Sequence, residues 1–317
     1  MSAKATERPT TRPLVGIVLI DKPAGLTSNR ILQKTKRLFR AEKAGHTGTL
    51  DPMATGMLPV CFGAATKVTG LMLASSKRYR VTAEFGIATD TGDATGTPIE
   101  RREGPAIAID AVDAALQQFC GRSLQIPPMY SAVKHAGRRL YELARKGQEV
   151  ERRPRPIEIF DIVLEAFEWP CYTFSVHCSK GTYIRSLVAD IAHKLDSIAH
   201  VTHLRRLSVT PFEESQMLSF EALEAAAAGG LEPLDRCLLG ADAALVHMPA
   251  IRVSSAQGLG LRQGQRVDVA APGLAGDVRI YDSADSFVGI GNLDESGLLR
   301  PARIFPAETL VQAKLFG

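Results

Sequence analysis

The sequence lacks any apolar run long enough to cross a membrane or to act as a secretory signal. No stretch reaches the roughly 18 consecutive apolar residues that a membrane-spanning helix needs. The first 13 residues, MSAKATERPTTRP, are mostly polar. These absences predict a cytoplasmic protein that does not associate with membranes.

Paired cysteines and the common cofactor motifs are also missing. The five cysteines are odd in number and never spaced as CxxC, which argues against a disulfide framework and against a zinc site. The motifs GxxxxGKS/T, HExxH and GxSxG do not occur, and no GxGxxG opens a helix after a strand. Chemistry that depends on a bound nucleotide, a metal or a catalytic serine is therefore disfavoured.

The chain does contain enough apolar sequence for a full core. Of its 317 residues, 45% are hydrophobic, and its formal net charge is only +4. This length suits one large domain, or a large domain with a small one. Residues 1–13 read as a disordered tail, and LVGIVLI, from Leu14, predicts the first buried strand. Ser28 or Asn29 is the expected N-cap of the helix that follows.

Positive charge is concentrated in residues 129–156. This segment has a net charge of +5 from eight basic and three acidic side chains, with two tyrosines among them. Cations that neutralise phosphates and rings that stack on bases are typical of RNA-binding surfaces. The alternative is an exposed helical hairpin that is charged for solubility. The residues expected to contact the RNA backbone are Lys134, Arg138, Arg139, Arg145, Lys146, Arg152, Arg153 and Arg155.

Two short motifs carry little weight. His200 and His203 form HxxH without a third ligand nearby, so we expect them to be structural and predict no metal site. Asp90, Thr91 and Gly92 match the tripeptide of aspartic proteases, but that chemistry needs two such aspartates and no second DTG or DSG occurs.

The strongest signal is GHTGTLDPMATG, residues 45–56. Three glycines and a proline among small polar residues exclude a helix or a central strand. The segment therefore predicts a shaped loop that presents one carboxylate, Asp51. From the residues alone, a catalytic carboxylate and a structural loop with a capping aspartate are equally supported.

This loop resembles the catalytic loop of the TruB-type pseudouridine synthases. Further segments resemble other blocks of that family, in family order from about residue 14 to residue 210: GIVLIDKPAGLTSN, KRYR, IPPMYSAVKHAGRRLYELARKG, HCSKGTYIRSL and HVTHLRRLSV. The residues from 248 onwards resemble the family's PUA-like C-terminal domain more diffusely.

The resemblance implies a fold and a reaction. It predicts an α/β (α+β) catalytic domain around a mixed, largely antiparallel sheet at residues 14–247, with residues 129–156 as a tRNA-gripping insertion and residues 248–317 as a small β-rich domain. The implied enzyme flips the uridine at position 55 out of the tRNA T-loop, breaks its glycosidic bond and rejoins the base through carbon 5. No cofactor is expected, because this isomerisation involves no net redox change or energy input.

Three residues correspond to the family's catalytic centre. Asp51 matches the catalytic carboxylate, which attacks the sugar or the base or acts as a base on the ribose. Arg185, in KGTYIR, would pair with Asp51 and keep it ionised. Tyr79 would stack on the flipped base, and its hydroxyl would help to remove the proton from carbon 5.

The other expected contacts are with the substrate. Tyr183 and Leu204 would wall the uracil pocket, and Lys22 would touch backbone phosphate. His46 would fill the space that the flipped base leaves, or hold a neighbouring nucleotide. The expected partner is the T-arm of tRNA, bound by a monomer without an obligate protein partner. The rivals are a non-catalytic RNA-binding or RNA-remodelling protein and a synthase that works in a guide-RNA complex.

Overall fold

The computed structural model describes residues 10–131, 133–135, 137–144 and 146–306, which form a large and a small β-sheet with helices packed on them. The strands are β1 (Gly16–Lys22), β2 (Ala44–His46), β3 (Thr55–Phe62), β4 (Lys77–Phe85), β5 (Ile87–Thr89), β6 (Pro98–Arg101), β7 (Gly121–Gln125), β8 (Lys134–His135), β9 (Arg138–Arg139), β10 (Arg155–Glu168), β11 (Cys171–Cys178), β12 (Ala199–Val209), β13 (Leu218–Ser219), β14 (Ala250–Arg252), β15 (Val267–Asp268), β16 (Gly276–Tyr281), β17 (Phe287–Leu293) and β18 (Leu298–Ile304).

The helices are α1 (Ser28–Leu38), α2 (Thr69–Ala74), α3 (Ile109–Gln117), α4 (Leu140–Ala144), α5 (Ile184–Lys194), α6 (Phe220–Ala228), α7 (Leu231–Asp235) and α8 (Ser255–Arg262). Short 3-10 helices cover Gly63–Val68, Glu214–Gln216 and Ala241–Leu245. Among the described residues, no helix is both long and apolar enough to span a membrane.

The large sheet is mixed and mostly antiparallel, which confirms the predicted fold class. Its strands lie in the order β13-β1-β3-β12-β4-β11-β10-β7, and β2 pairs with β3. Pairing is parallel between β1 and β13 and between β3 and β12, and antiparallel between the other neighbours. Strand β3, which directly follows the loop that holds Asp51, was not predicted.

Strand β4 directs Tyr79 into the core. Successive side chains of a strand point to opposite faces of the sheet, so Tyr79, Val81 and Phe85 share the buried face. Helices α3 and α5 cover this face with residues such as Leu116 and Leu187. Helix α5 begins one residue before Arg185, and Tyr79 and Arg185 line the same cavity.

Helix α1 is capped one residue earlier than predicted. Thr27 is the N-cap, and its hydroxyl accepts a hydrogen bond from the Arg30 amide. Ser28, one of the two expected caps, is buried inside the helix. Its hydroxyl bonds to the backbone of Leu50, accepting from the amide at 2.8 Å and donating to the carbonyl at 3.1 Å. The first turn of α1 is therefore attached to the loop that carries Asp51.

The N-terminal tail is ordered further towards the N-terminus than predicted. Arg12 forms an ion pair with Asp235, and its backbone bonds to Arg40 and Glu42. The rest of the expected tail, residues 1–9, lies outside the described residues.

The small C-terminal sheet has the order β14-β16-β17-β18-β15. This confirms the predicted β-rich character of the C-terminal segment, although β14, α8 and β18 had no clear sequence signal. Phe287, Ile290 and Phe305 of this segment pack in one buried cluster with Val15 and Met57 of the large-sheet region. The two sheets are therefore joined by a shared apolar core.

Candidate active site

The loop that presents Asp51 lies between β2 and β3. Residues 45–56 are a loop only in their central part, since His46 ends β2 and Thr55 begins β3. Ser28 holds the loop at Leu50, and the Pro52 carbonyl accepts a hydrogen bond from the Gly25 amide at 2.8 Å. The carboxylate of Asp51 is thus fixed from both sides in the sequence.

Lys22 is not accessible from the surface, so the predicted phosphate contact is wrong. Its side chain is fully buried, and its ammonium donates to the carbonyls of Pro23, Leu26 and Pro52 at 2.9, 2.7 and 3.2 Å. Burial lowers the pKa of Lys22 to about 8, and the charge of Asp51 opposes this shift. Because three carbonyls use all three donors of the ammonium, Lys22 fixes the loop beside Asp51.

Arg185 pairs with Asp51, with 2.9 Å between Nε and Oδ2. The other two guanidinium nitrogens donate to the carbonyls of Thr91 and Tyr130, each at 2.7 Å. The guanidinium is therefore held by the loop after β5 and by the start of the basic segment 129–156. Only 6% of the Arg185 side chain is exposed, so little water competes for these contacts.

Opposing effects act on the ionisation of Asp51. Burial raises its pKa, the Arg185 guanidinium lowers it, and the carboxylate of Asp93, whose Oδ2 lies 3.8 Å from Arg185 Nε, raises it. A carboxylate that is removed from water stays ionised only if a cation compensates for the lost hydration. Arg185 provides that cation.

A cavity of roughly 320 Å³ opens above this pair. Tyr79, which was predicted to stack on the base, and Tyr183 and Leu204, which were predicted to wall the uracil pocket, all line this cavity. Their contact with a uracil stays a prediction. Tyr183 is fixed as the N-cap residue of α5, and its amide donates to Gln125 Oε1 at 2.8 Å. The cavity combines flat apolar walls with a charged floor at Asp51, which suits a planar heterocycle attached to a sugar.

A second, wider cavity of roughly 850 Å³ adjoins the first. The two share Asp51 and Arg185, and His46, Tyr130 and Arg139 line only the second. Burial lowers the pKa of His46, and so does the charge of Arg206. Within the described part of the chain, the buried Nδ1 atom of His46 has no hydrogen-bond partner.

The basic segment forms a small hairpin and a short helix rather than a helical hairpin. Strands β8 and β9 pair, and α4 follows them. Arg138, Arg139, Lys146, Arg153 and Arg155 are exposed, and Arg152 is half-buried. Arg145 lies outside the described residues, and only the backbone of Lys134 is described.

The histidines of the HxxH motif stay apart from this site. His200 is buried and its Nδ1 lies 3.2 Å from the carbonyl oxygen of Ile87, whereas His203 is exposed. The described residues contain no group of three or more His, Cys, Asp or Glu side chains arranged to hold a metal ion.

Two charged residues of the site were missed by sequence reasoning. Asp93 follows the Asp90-Thr91-Gly92 tripeptide in a glycine-rich loop, where nothing local connects it to Asp51. Arg206 carried a usable signal. The alternation of β12, with Leu204 buried and Arg205 half-exposed, points Arg206 inwards, where it lines the smaller cavity.

Solved structures share this fold. A Cbf5-Nop10-Gar1 complex matches with a TM-score of 0.72 at 24% identity, covering 96% of this chain and 92% of the other. An H/ACA RNP bound to a substrate RNA containing 2'-deoxyuridine matches with a TM-score of 0.71 at 23% identity, covering 92% and 85%. These likenesses show the fold. In this chain the fold places a half-buried carboxylate, paired with a buried arginine, beside a base-sized cavity.

The chain belongs to the pseudouridine synthases and, within that class, to the TruB family. The profile described as "TruB family pseudouridylate synthase (N terminal domain)" matches residues 36–184, and two TruB C-terminal profiles match residues 185–246 and 249–305. The relative named tRNA pseudouridine synthase B of Pasteurella multocida (strain Pm70) is 45% identical over 309 residues, which is 96% of this chain and 100% of the relative. The relative of the same name from Chromohalobacter salexigens is 46% identical over 300 residues, which is 94% of this chain and 96% of the relative.

Proposed function

We propose that this protein isomerises the uridine at position 55 in the T-loop of tRNA to pseudouridine. The observation that carries the proposal is the Asp51–Arg185 pair, joined at 2.9 Å on the floor of a cavity lined by Tyr79, Tyr183 and Leu204. Relatives about 45% identical over nearly the whole chain are named tRNA pseudouridine synthase B, which supports tRNA as the substrate.

Asp51 is the reactive group in this proposal. A uridine flipped out of the T-loop enters the smaller cavity, at a cost of a few kcal/mol for unstacking. The carboxylate of Asp51 then acts on the sugar or the base, so that the bond between N1 and the ribose breaks. Arg185 keeps the carboxylate ionised and directed at the substrate. Because the base is detached, turned and rejoined, the reaction needs no external reductant or energy source.

The remaining site residues hold the substrate. Tyr79 stacks on the uracil, and Tyr183 and Leu204 confine it from the sides, since each of them lines the smaller cavity. His46 lines the wider cavity, next to the place of the flipped nucleotide. The exposed cations of the basic segment neutralise backbone phosphates.

The proposal extends to organisation and location. We assign residues 14–247 to a catalytic domain, with residues 129–156 as its tRNA-gripping insertion, and residues 248–317 to a PUA-like domain. The protein acts as a cytoplasmic monomer that binds the T-arm without an obligate protein partner. The insertion, which places Tyr130 and Arg139 at the wider cavity, supports this independent form over one that requires a guide RNA.

The test is to incubate the purified protein with an unmodified tRNA transcript, without added metal or nucleotide, and to map pseudouridine along the RNA. Pseudouridine at position 55 alone is the expected result. Tight binding without pseudouridine at any site would instead favour a non-catalytic RNA-binding protein. Product that forms only after a guide RNA is added would favour the guided form.

A further inference from the structure

Arg206 is a buried cation that has no acidic partner. Only 1% of the residue is exposed. Its guanidinium donates from Nε to the Met57 carbonyl at 2.7 Å and from a terminal nitrogen to the Gly48 carbonyl at 3.1 Å. Among the ion pairs of the described residues, none includes Arg206. The neighbouring Arg205 differs in this respect, since it pairs with Asp21 at 2.8 Å and with Glu214 at 2.9 Å.

A buried guanidinium without a carboxylate is costly to keep. Removing a cation from water costs several kcal/mol unless a negative charge compensates for the lost hydration, and two carbonyl groups supply only part of that compensation. The strands are nevertheless built to admit this residue. Gly56, at φ +96°, lies so close to the Arg206 backbone that any side chain there would clash, and a Cβ at Gly48 would lie 3.3 Å from the Arg206 guanidinium. The fold thus keeps Arg206 at the site.

The charge of Arg206 acts on several ionisable groups of the site. It lowers the pKa of His46, Lys22 and Lys77, in addition to the lowering by burial. Arg206 lies opposite Tyr79 in the pairing of β12 with β4, and both residues line the smaller cavity. Burial raises the pKa of the Tyr79 hydroxyl, and the charge and hydrogen bonding of Arg206 oppose this shift.

Two other groups act on Tyr79 in the same direction as burial. The charges of Cys178 and Asp51 both raise the pKa of the Tyr79 hydroxyl. Arg206 is therefore the group at the site that favours the ionised form of this tyrosine. Its hydrogen bond to Gly48 also connects it to the loop that carries Asp51.

From this geometry, and on the basis of the proposed function, we propose that Arg206 is a positioning residue for proton removal from carbon 5. It holds the Tyr79 oxygen below the base, and it stabilises the phenolate that accepts the proton. In the same position it ties Tyr79 to the Asp51 loop, so that glycosidic cleavage and proton removal take place in one fixed arrangement.

The step balances as follows in atoms and electrons. Once the sugar is joined to carbon 5, that carbon carries both the sugar and its original hydrogen, and N1 is doubly bonded to C6. The phenolate oxygen of Tyr79 takes the proton from carbon 5, and the C–H electron pair forms the C5–C6 double bond. The π pair between C6 and N1 moves to N1, which takes up a proton. The net change is a proton transfer from carbon 5 to N1.

The test compares two substrates that differ only at carbon 5. One tRNA carries uridine at the target position, and the other carries 5-fluorouridine, which can undergo bond cleavage and rejoining at carbon 5 but has no proton there to lose. Single-turnover rates are measured for the wild type, for Arg206→Gln and for the control Arg205→Gln, whose side chain belongs to the Asp21 and Glu214 pairs. Thermal unfolding checks the fold of each variant.

Loss of activity confined to uridine is the expected result. Arg206→Gln should slow pseudouridine formation by roughly 100-fold, within the range typical of general acid-base catalysis, and should change the rate of formation of the rearranged 5-fluoro product by less than about threefold. Without the charge of Arg206 the pKa of the Tyr79 hydroxyl rises, so the phenolate forms only at higher pH. The rate of Arg206→Gln on uridine should therefore recover as the pH is raised. In a Tyr79→Phe background, Arg206→Gln should have no further effect on uridine.

Equal losses on both substrates would overturn the inference, since they would show a purely structural role for Arg206. If Arg206→Gln does not fold, Arg206→Lys takes its place. A uridine-specific loss of about tenfold is then expected, because lysine keeps the positive charge but lacks the planar guanidinium fork that bonds to the Met57 and Gly48 carbonyls. A wild type that forms no pseudouridine would instead refute the proposed function itself.

Discussion

At the scale of single residues, the site depends on charges that burial makes costly. Asp51 lies at the floor of the cavity, and the cation that compensates for its burial belongs to Arg185, 134 positions away in the sequence. Lys22, which is fully buried, satisfies its ammonium with backbone carbonyls. The charges of Asp51 and Arg185 therefore lie at the cavity, whereas the charge of Lys22 supports the loop.

Replacing Asp51 with asparagine should abolish isomerisation and leave tRNA binding nearly unchanged. The amide is almost the same size as the carboxylate but cannot attack the nucleotide or accept its proton, whereas the exposed cations of the insertion remain available to RNA. We expect the single-turnover rate to fall by more than about 1,000-fold, with a dissociation constant within about threefold of the wild-type value. Asp90→Asn, in the exposed loop after β5, serves as the control. Substantial turnover by Asp51→Asn would contradict the role of this residue.

Replacing Arg185 with methionine should move the acidic side of the pH-rate profile to higher pH. Burial raises the pKa of Asp51 and Arg185 lowers it, so removal of the guanidinium raises this pKa further. The reaction needs the ionised carboxylate, and activity is therefore lost at a higher pH as the solution is acidified. At neutral pH we expect a rate loss of roughly 100-fold.

The measurement is the single-turnover rate between about pH 5 and pH 9. Lys194→Met, at the exposed C-terminal end of α5, is the matched control and should leave the profile unchanged. An acidic limb in Arg185→Met that coincides with that of the wild type would show that Arg185 does not control the ionisation of Asp51.

At the scale of elements, the site forms where the loop that carries Asp51 meets α1, β4 and the start of α5. Helix α1 holds the loop through Ser28, β4 supplies Tyr79, and the first turn of α5 supplies Arg185. The insertion joins this arrangement through the Tyr130 carbonyl, which accepts a hydrogen bond from Arg185. A change in the insertion can therefore affect RNA binding and the geometry of the catalytic pair.

Charge reversal in the insertion should weaken tRNA binding. Arg153 and Arg155 are exposed next to the start of β10, and neither forms an ion pair among the described residues. The double variant Arg153→Glu with Arg155→Glu should raise the dissociation constant by roughly 10- to 100-fold near physiological salt. The dependence of log Kd on log salt concentration should become less steep by about 2, one for each phosphate that is no longer neutralised.

The control carries the same change in charge at a distance from the insertion. Lys194→Glu with Arg236→Glu alters two exposed side chains near the ends of α5 and α7. We expect a much smaller change in affinity for this pair. If both double variants bind tRNA equally well, the insertion is only a solvated surface.

At the scale of the whole molecule, the two sheets share one apolar core. Phe305 contacts the ring of Phe287 with centroids 5.1 Å apart, and both pack with residues of β1 and β3. The Tyr281 hydroxyl donates to Asp242 at 2.9 Å across the same boundary. Such shared burial predicts that the sheets unfold together.

Leu299→Ala should reveal this coupling. Leu299 is fully buried within the small sheet, and its truncation should cost about 2 to 5 kcal/mol. The single tryptophan, Trp169, lies in the turn that joins β10 and β11 of the large sheet, where it stacks on Phe85 with centroids 5.7 Å apart. The urea midpoint measured by Trp169 fluorescence should therefore fall with the midpoint measured by circular dichroism. A Trp169 transition that is unaffected by Leu299→Ala would show that the sheets unfold independently.

The sequence alone determined the features that local chemistry specifies. Glycines and a proline around Asp51 predicted a loop, because a regular helix or strand cannot accommodate them. The runs YRVTAEF, IEIFDIVLEAF, CYTFSVHC and HLRRLSV predicted strands that correspond to β4, β10, β11 and β12, and the third of these runs alternates polar with apolar residues. Helical spacing predicted α5 with Arg185 near its start. The β-rich C-terminal segment was also visible, but β18 was missed because Pro301 and two arginines, Arg300 and Arg303, interrupt its apolar pattern.

Only the tertiary structure decided which distant residues meet and which charges are buried. Asp51, Asp93, Arg185 and Arg206 belong to four separate segments, and no local pattern encodes their separation. Lys22 and Arg206 carry charges that composition alone would place at the surface. Their burial depends on carbonyl groups and glycines that become neighbours only after the chain has folded. Loop and strand formation follow from local conformational preferences, whereas the electrostatics of the site follow from long-range packing.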